Sequence, residues 1–304
     1  MEKKVAIILL NWNSYEHTAN CIESLSAVRP ANFDILVVDN GSTDGSGTAL
    51  QNKFNHIIYL PNATNEGFAG GNNRGFAYAI EHDYAYSLML NNDVFVEPNF
   101  LDLLVTYLEA NPEVGAIQPK IFFNSNRQKV WNGGSYFLSW LGWTYSKNYM
   151  RTAGPAQSKF AQVDWITGCA LLLRTSIVKQ IGALNDHFFI YYEDVDFSFR
   201  IRAAGYKLMF HPNSVIYHIA GMANKAKVKG KEGYANPYVH YLNFRNHIWV
   251  LRAYTKWYQW PTTFITLIAY SLAIMLYFVA RWRWTKLAMM LKGILHGFTK
   301  QSSA

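Results

Sequence analysis

The apolar positions of this chain fall into short runs separated by polar turns. Residues 5–10 form an apolar run that predicts a first strand, and 15–28 spread their apolar positions at helical spacing. Residues 34–38 predict a second strand: Ile35 to Val38 is wholly apolar, as a strand covered on both faces requires, and Asn40-Gly41-Ser42 breaks it at once. A strand, helix, strand opening implies a right-handed crossover and hence a parallel sheet. The alternation continues with a helix at 43–52, a strand at 57–60, a helix at 70–81, a strand at 86–90 and a helix at 100–111 between Pro98 and Pro112. This pattern specifies an α/β nucleotide-binding architecture.

From 120 to 162 the period is lost in aromatic, Gly- and Ser-containing sequence that includes Trp131, Trp140 and Trp143. It reads as an irregular excursion whose flat rings suit stacking on sugars or lipids. Order resumes over 163–174, followed by helices at 176–182 and 195–204. A boundary falls near 220–236, where Lys225, Lys227, Lys229 and Lys231 alternate with small residues and predict a mobile loop. Two domains follow, 1–224 and 225–304. The second is expected to be helical, with a charge-free run at 264–280 and helical spacing at 284–298.

Charge sharpens that division. The net +8 of the 304 residues splits into 16 Lys and Arg against 19 Asp and Glu over 1–224, and 12 against one over 225–304. Basic residues confined to one end and interleaved with Trp, Tyr and Phe argue against nucleic-acid binding by the body and fit an anionic membrane surface. At ~1.5 Å per residue the run 264–280 spans roughly 25 Å, short of the ~20 residues that cross a bilayer comfortably. Basic residues flank it on both sides, so a helix lying in or dipping into the cytoplasmic leaflet is expected. A soluble helical extension or a homo-oligomer interface is the alternative reading. Only Cys21 and Cys169 occur, without metal-ligand spacing, which excludes a disulfide framework and a zinc site and suits a reducing compartment. The apolar run at 5–10 is too short for the core of a signal peptide.

Three acidic stations stand at the ends of apolar runs: Asp39 and Asp44, Asp93, and the group Glu193, Asp194 and Asp196. Carboxylates so placed gather at one edge of a parallel sheet, where α/β folds bind ligands. They suit a metal-bound diphosphate and a catalytic base. Asp44 reads equally well as a turn aspartate capping the next helix.

The ordered set NWNS (11–14), VVDNGSTDGS (37–46), NEGFAGGNNRG (65–75), LNNDV (90–94), WITGCALLLR (165–174), FFIYYEDVDFSFRIRAAGY (188–206) and VIYHIAG (215–221) resembles the family 2 glycosyltransferases of the GT-A fold, in their rhamnosyltransferase-like branch. The resemblance covers residues 4–221, and the tail pattern MLKGILHGF (290–298) also occurs in that branch. It implies a Rossmann-like nucleotide-diphospho-sugar fold with a mainly parallel central sheet, followed by a helical membrane-associated extension.

By the same resemblance Asp93 stands at the last position of the family's Asp-x-Asp motif and His218 is a second metal ligand, for Mg²⁺ or Mn²⁺. The first position of the motif is the neutral Asn91, with Asn92 between. A hard cation bound with a diphosphate needs only one or two protein carboxylates. Asp39 receives the nucleoside, with Asn11 beside it. Asn65, Gly67 and Gly70-Gly71-Asn72-Asn73 form a turn into a helix whose start favours an anion; the Gly-Lys-Ser/Thr end of a P-loop is missing. Asp194 is the implied general base, with Glu193 and Asp196 as supports of the acceptor pocket or of the fold. Trp165, Thr167 and Gly168 line the acceptor site. Arg200 and Arg202 pair with the carboxylates or with the diphosphate.

The resemblance thus implies an inverting, metal-dependent glycosyltransferase of bacterial cell-surface polysaccharide synthesis. It would move a sugar, foremost rhamnose from dTDP-rhamnose, to a lipid-linked saccharide at the cytoplasmic face of the inner membrane, as a peripheral or monotopic protein. A UDP-hexose donor is the alternative within enzymes. A non-catalytic sugar-nucleotide or polysaccharide-binding module is the competing class, and retention of Asp93 and Asp194 speaks against it.

Overall fold

The computed structural model of the protein describes residues 4–29, 32–154, 159–219 and 225–300. In chain order the elements are β1 (Val5–Asn11), α1 (Tyr15–Leu25), β2 (Phe33–Asn40), α2 (Ser46–Lys53), β3 (Ile57–Asn62), α3 (Gly67–Glu81), β4 (Tyr86–Leu90), β5 (Val94–Val96), α4 (Phe100–Ala110), β6 (Val114–Phe123), β7 (Asn126–Asn132), β8 (Ser135–Leu138) and β9 (Trp143–Ser146). After these come β10 (Ala161–Gln162), β11 (Ala170–Arg174), α5 (Thr175–Ile181), α6 (Glu193–Ala203), β12 (Lys207–His218), β13 (Lys225–Gly230), β14 (Gly233–Ala235), α7 (Pro237–Tyr254), α8 (Trp260–Ala280) and α9 (Trp284–Thr299). They divide into two compact units. The first comprises the described parts of 1–136, 146–189 and 193–220; the second comprises 137–145, 190–192 and those beyond 220.

The first unit is built on one sheet of order β10-β12-β6-β11-β4-β1-β2-β3, with β5 on β12 and β7 on β6. The strands β4, β1, β2 and β3 run parallel, as do β6 and β12, while β11 lies antiparallel between β4 and β6. The sheet is therefore mainly parallel but mixed. Among the described residues no helix lies between β6 and β11, and a helix is the usual crossover to a parallel neighbour. Successive side chains of β1 serve opposite faces. Ile7 and Leu9 pack with α1 and α4 residues such as Ile22 and Leu104, and Ile8 packs with Phe76 of α3 and Phe197 of α6. Both faces are covered, which is why β1 and β2 carry no alternation.

Polar pairing carries β2 past the expected break. Asn40 remains in register with Asn62, and its Oδ1 accepts from Asn62 Nδ2 at 3.1 Å and from Glu66 N at 3.1 Å. Asp39 therefore lies inside the strand tip. The stretch from 120 to 162, expected to be irregular, instead contains the end of β6 and the strands β7 to β10. Its interior is partly polar, which hid the period: buried Asn132 accepts from Gln118 Nε2 at 2.9 Å and donates to Ser135 Oγ at 2.9 Å.

In the second unit, Lys225, Lys227 and Lys229 lie on β13, paired with β14, where a mobile loop was expected. Backbone pairing overrides the loop-like composition; 220–224 lie outside the described residues. A helix without a clear sequence signal, α7, buries Leu242, Phe244, Ile248 and Leu251. Against it lies α9, brought close by two glycines one turn apart. A Cβ at Gly293 would stand 2.5 Å from the Tyr241 carbonyl oxygen, and one at Gly297 2.8 Å from Ile248 Cβ. The charge-free run is part of a longer helix, since Pro261 is tolerated in the first turn of α8. Its 21 residues reach about 32 Å. By length and composition alone, 257–280 is long and apolar enough to cross a membrane. Shortness is thus no longer a reason against a span.

Candidate active site

The chain runs outward from β1 through β2 to β3, then returns to place β4 on the other side of β1. Ligands of open α/β sheets bind at such a switch point, beyond the carboxyl ends of the strands. The ends of β1, β2 and β4 supply Asn11, Asp39 and the turn holding Asn91, Asn92 and Asp93.

Asn11 and Asp39 are direct partners across β1 and β2. The Asp39 carboxylate accepts from Asn11 Nδ2 at 3.0 Å, from Ser42 Oγ, and from Tyr59 Oη at 3.1 Å. Burial, and then Asp39 itself, pushes the Tyr59 phenol up to about 12, so it remains a donor. Asn11 is 0% exposed, and its Nδ2 also reaches Ser46 Oγ at 3.0 Å. Its Oδ1 accepts from Thr18 Oγ1, which accepts in turn from Asn92 Nδ2 at 2.8 Å. The Asn11 and Asn92 amides, both expected on the donor side, thus orient Asp39 and tie β4 to α1. Ser42 and Ser46 were quoted in the DNGSTDGS motif without a role. Nothing in the sequence of β3 singles out Tyr59.

Gly47 was missed for a different reason. It opens α2 against Asp39, and a Cβ there would stand 2.1 Å from Asp39 Oδ2 and 2.6 Å from Tyr59 Oη. Gly47→Ala is helix-favouring in general but here must displace the carboxylate. We expect nucleoside diphosphate affinity to fall at least tenfold by titration calorimetry, with helix content by circular dichroism unchanged. Unchanged affinity would mean that Asp39 does not serve the nucleotide.

The turn into α3 is tied into the first unit. Asn65 Oδ1 accepts from Gly67 N at 2.9 Å and from Asn40 Nδ2 at 3.0 Å, and Ala69 N donates to the Phe189 carbonyl at 3.1 Å. A Cβ on Gly67 would meet Phe189 at 2.5 Å, and Gly67 has φ +76. Gly71 lies inside the helix, where a Cβ would meet Leu10 Cδ1 at 2.3 Å; with Gly75 it lets α3 approach β1. Asp44 accepts from Ser46 N at 3.0 Å and organises the start of α2.

At the end of β4, Asp93 Oδ1 stands 3.1 Å from Nε2 of His218, which closes β12. Asn91 Nδ2 is 3.5 Å from the same nitrogen, and Trp131 lies edge-on to the imidazole at 4.5 Å. Burial opposes charge on His218, whereas the Cys169 sulfur and the Asp93 carboxylate favour it, and the net shift is upward. Burial also raises the Cys169 thiol, to which Asp93 and Asp194 add. Burial thus disfavours the Cys169 thiolate, and Asp93 favours a proton on His218 that a bound cation would displace.

Among the described residues no cluster of three or more His, Cys, Asp and Glu could hold a metal alone. Two oxygen or nitrogen ligands at about 2.1 Å on adjacent corners of an octahedral cation stand about 3.0 Å apart. The separation of 3.1 Å between Asp93 Oδ1 and His218 Nε2 matches. The pair therefore fits a divalent cation whose other ligands are diphosphate and water.

The third station begins α6. Asp194 Oδ2 accepts from Gly168 N at 2.9 Å and Oδ1 from Val195 N at 2.9 Å. Burial outweighs these bonds and raises Asp194 to about 6. Glu193 is buried, its Oε2 has no hydrogen-bond partner, and burial followed by the Asp194 charge raises it well above the carboxylate range. Burial thus favours the protonated form of Glu193 beside Asp194.

Asp196 is buried and pairs with Arg200 Nε at 2.9 Å, while the same guanidinium donates to the carbonyls of Ile181, Gly182 and Ala183. Of its two expected roles, Asp196 therefore has the one of supporting the fold. Arg202 pairs with Asp164 at 3.2 Å, so both arginines already have protein partners. Trp165 Nε1 donates to the Tyr136 carbonyl at 3.1 Å. Thr167 is buried and accepts from Cys169 N at 3.3 Å.

The sequence profile of glycosyl transferase family 2 matches residues 6–182. N-acetylglucosaminyl-diphospho-decaprenol L-rhamnosyltransferase of Mycobacterium tuberculosis is 25% identical over 86% of this chain and 88% of that protein. Rhamnosyltransferase WbbL of Escherichia coli is 24% identical over 73% and 86% respectively. GalNAc-T7, solved with UDP, GalNAc and Mn²⁺, superposes with TM-score 0.63 at 14% identity, covering 84% of this chain but only 49% of its own length. S. aureus TarS with UDP superposes with TM-score 0.54 at 15% identity, covering 81% and 64%. These two likenesses establish the fold alone.

Proposed function

Because the chain belongs to glycosyl transferase family 2 and has the GT-A fold, we propose that it is an inverting transferase moving rhamnose from dTDP-rhamnose to a diphosphate-linked lipid saccharide. The observation that carries the chemistry is Asp194, a carboxylate raised to about 6 and fixed by two backbone amides. At pH 7 it is ionised, yet basic enough to take a proton. The acceptor hydroxyl gives its proton to Asp194 as its oxygen bonds to the anomeric carbon. The bond from that carbon to the diphosphate breaks, and the electron pair leaves with the phosphate oxygen. Asp39, held by Asn11, Ser42 and Tyr59, receives the nucleoside. Asp93 and His218 would hold a divalent cation, which supplies charge neutralisation for the departing diphosphate.

The rhamnose and lipid-linked acceptor of this proposal follow the names of the mycobacterial and E. coli relatives. A donor screen reading nucleotide release tests the sugar, and greater turnover with a UDP-hexose than with dTDP-rhamnose would refute that choice. The product is expected to have the opposite anomeric configuration to the donor, since one base and one leaving group describe a single in-line displacement. Anomeric coupling in the NMR spectrum of the product decides this; retention would overturn the mechanism.

We further place the protein at the cytoplasmic membrane face through its second unit. Trp257 is 84% and Trp282 76% exposed, and Arg281 and Arg283 flank Trp282. Full-length protein is expected to sediment with anionic vesicles. Salt should weaken the electrostatic part, and Trp257→Ser with Trp282→Ser the part that survives salt. Protein that stays in the supernatant would refute the membrane reading.

A further inference from the structure

Helix α7 carries three consecutive buried polar residues, Arg245, Asn246 and His247, on a helix that otherwise buries apolar side chains. Asn246 is 0% exposed, and its Nδ2 donates to the carbonyls of Ile190 at 2.9 Å and Tyr191 at 2.8 Å. Its Oδ1 accepts from Arg245 Nε at 2.8 Å, so donor and acceptor needs fix which way the amide points. The next residue of the helix holds the same segment: His247 stacks on Tyr192 at 5.3 Å and 15°, while its Nε2 is 2.7 Å from the Gly142 carbonyl.

The gripped segment is unusual. Phe189, Tyr191 and Tyr192 have φ of 66, 72 and 69, the left-handed region that bulky residues avoid. Such a conformation persists only where its surroundings hold it. Tyr192 is followed directly by Glu193 and Asp194, the first two residues of α6. Asp194 thus lies two residues beyond Tyr192 in the chain.

We infer that Asn246 is a positioning residue for Asp194, acting through the carbonyls of Ile190 and Tyr191 to hold the left-handed segment that launches α6. This rests on the reading of Asp194 as the base. Asn246→Asp keeps the shape but removes the donors and sets an oxygen against two carbonyls. Asn246→Ser is smaller and retains one donor, which covers the case in which the aspartate variant does not fold.

Hydrogen exchange on the full chain reads the geometry without any substrate. Protection of the Gly168 and Val195 amides should drop in both variants, more in Asn246→Asp, while the amides of β1 and β2 keep theirs. Turnover of dTDP-rhamnose with N-acetylglucosaminyl-diphospho-polyprenol should fall about 10- to 100-fold, the scale of a misplaced catalytic group, with the donor KM within about threefold. The acid limb of the pH profile should move upward, because the Gly168 and Val195 bonds that lower Asp194 are loosened. A merely structural role would reduce the folded fraction and leave turnover per folded molecule and the acid limb in place. That result, or wild-type protection at Gly168 and Val195 in either folded variant, overturns the proposal. Near-normal turnover in Asp194→Asn would instead refute the base assignment, whatever the exchange data show.

Discussion

Asp194→Asn is expected to lower turnover about 1,000-fold while leaving nucleotide affinity within about threefold and slightly raising thermal stability. The rate loss follows from the usual worth of a positioned general base, about 10²- to 10⁴-fold. The stability gain follows from linkage. A carboxyl raised from 3.8 to about 6 by burial favours the folded state fully below about 3.8, and that contribution is lost as pH rises through about 6. The displacement corresponds to at most about 3 kcal/mol. Asp194 is partly exposed, and asparagine makes weaker bonds with the Gly168 and Val195 amides, so about 1 kcal/mol is expected, a rise of a few degrees in Tm. Calorimetry at pH 7.5 should show the gain, and at pH 4 it should be largely gone. In wild type, kcat should decline tenfold per pH below about 6. Near-normal turnover in the variant, or a flat acid limb, would refute the base assignment.

Asp93→Ala is expected to lower kcat/KM at least 100-fold and to remove the dependence of nucleotide binding on Mn²⁺ or Mg²⁺. The variant removes the carboxylate that stands 3.1 Å from His218, and hard cations bind weakly without a carboxylate. Chelation of the wild type by EDTA should reproduce the rate loss, and restoring Mn²⁺ should reverse it in wild type alone. Titration calorimetry separates the two roles of the site. Loss of the metal-dependent part with the nucleoside part intact is the expected result. Unchanged metal and nucleotide affinity would show that Asp93 is not a ligand.

Much of the first unit was legible because its β and α elements are two-sided or amphipathic and local in sequence. The apolar runs of β1 and β2 and the spacing of α1 and α4 declare burial directly. Asp39 and Asp93 were legible too, since each stands at or just after an apolar run that is a strand; the apolar residues before Glu193 form no strand, and the third station stands instead at the start of α6. What the sequence could not determine is which polar groups are spent on each other. Asn11 looked like a ligand contact because its type and place suit one; only the tertiary structure shows its hydrogen-bonding capacity taken by Asp39, Ser42, Ser46 and Thr18. The Gly and Asn cluster at 65–73 looked like an anion cradle, but Gly71 serves helix packing and Asn65 caps the Gly67 amide. Both depend on partners distant in sequence, and local pattern carries no information about such pairings. The clamp of Asn246 on the segment before Asp194 is of the same kind: its partners lie 55 and 56 residues away, and the backbone conformation they hold is not encoded by glycine. Sequence determined the apolar strands of the parallel half, the carboxylates at their tips and the basic tail, because burial and charge are local properties. Tertiary structure alone decided the partly polar strands after residue 120 and which of the site's polar groups bond to each other, because such pairings are made across the fold.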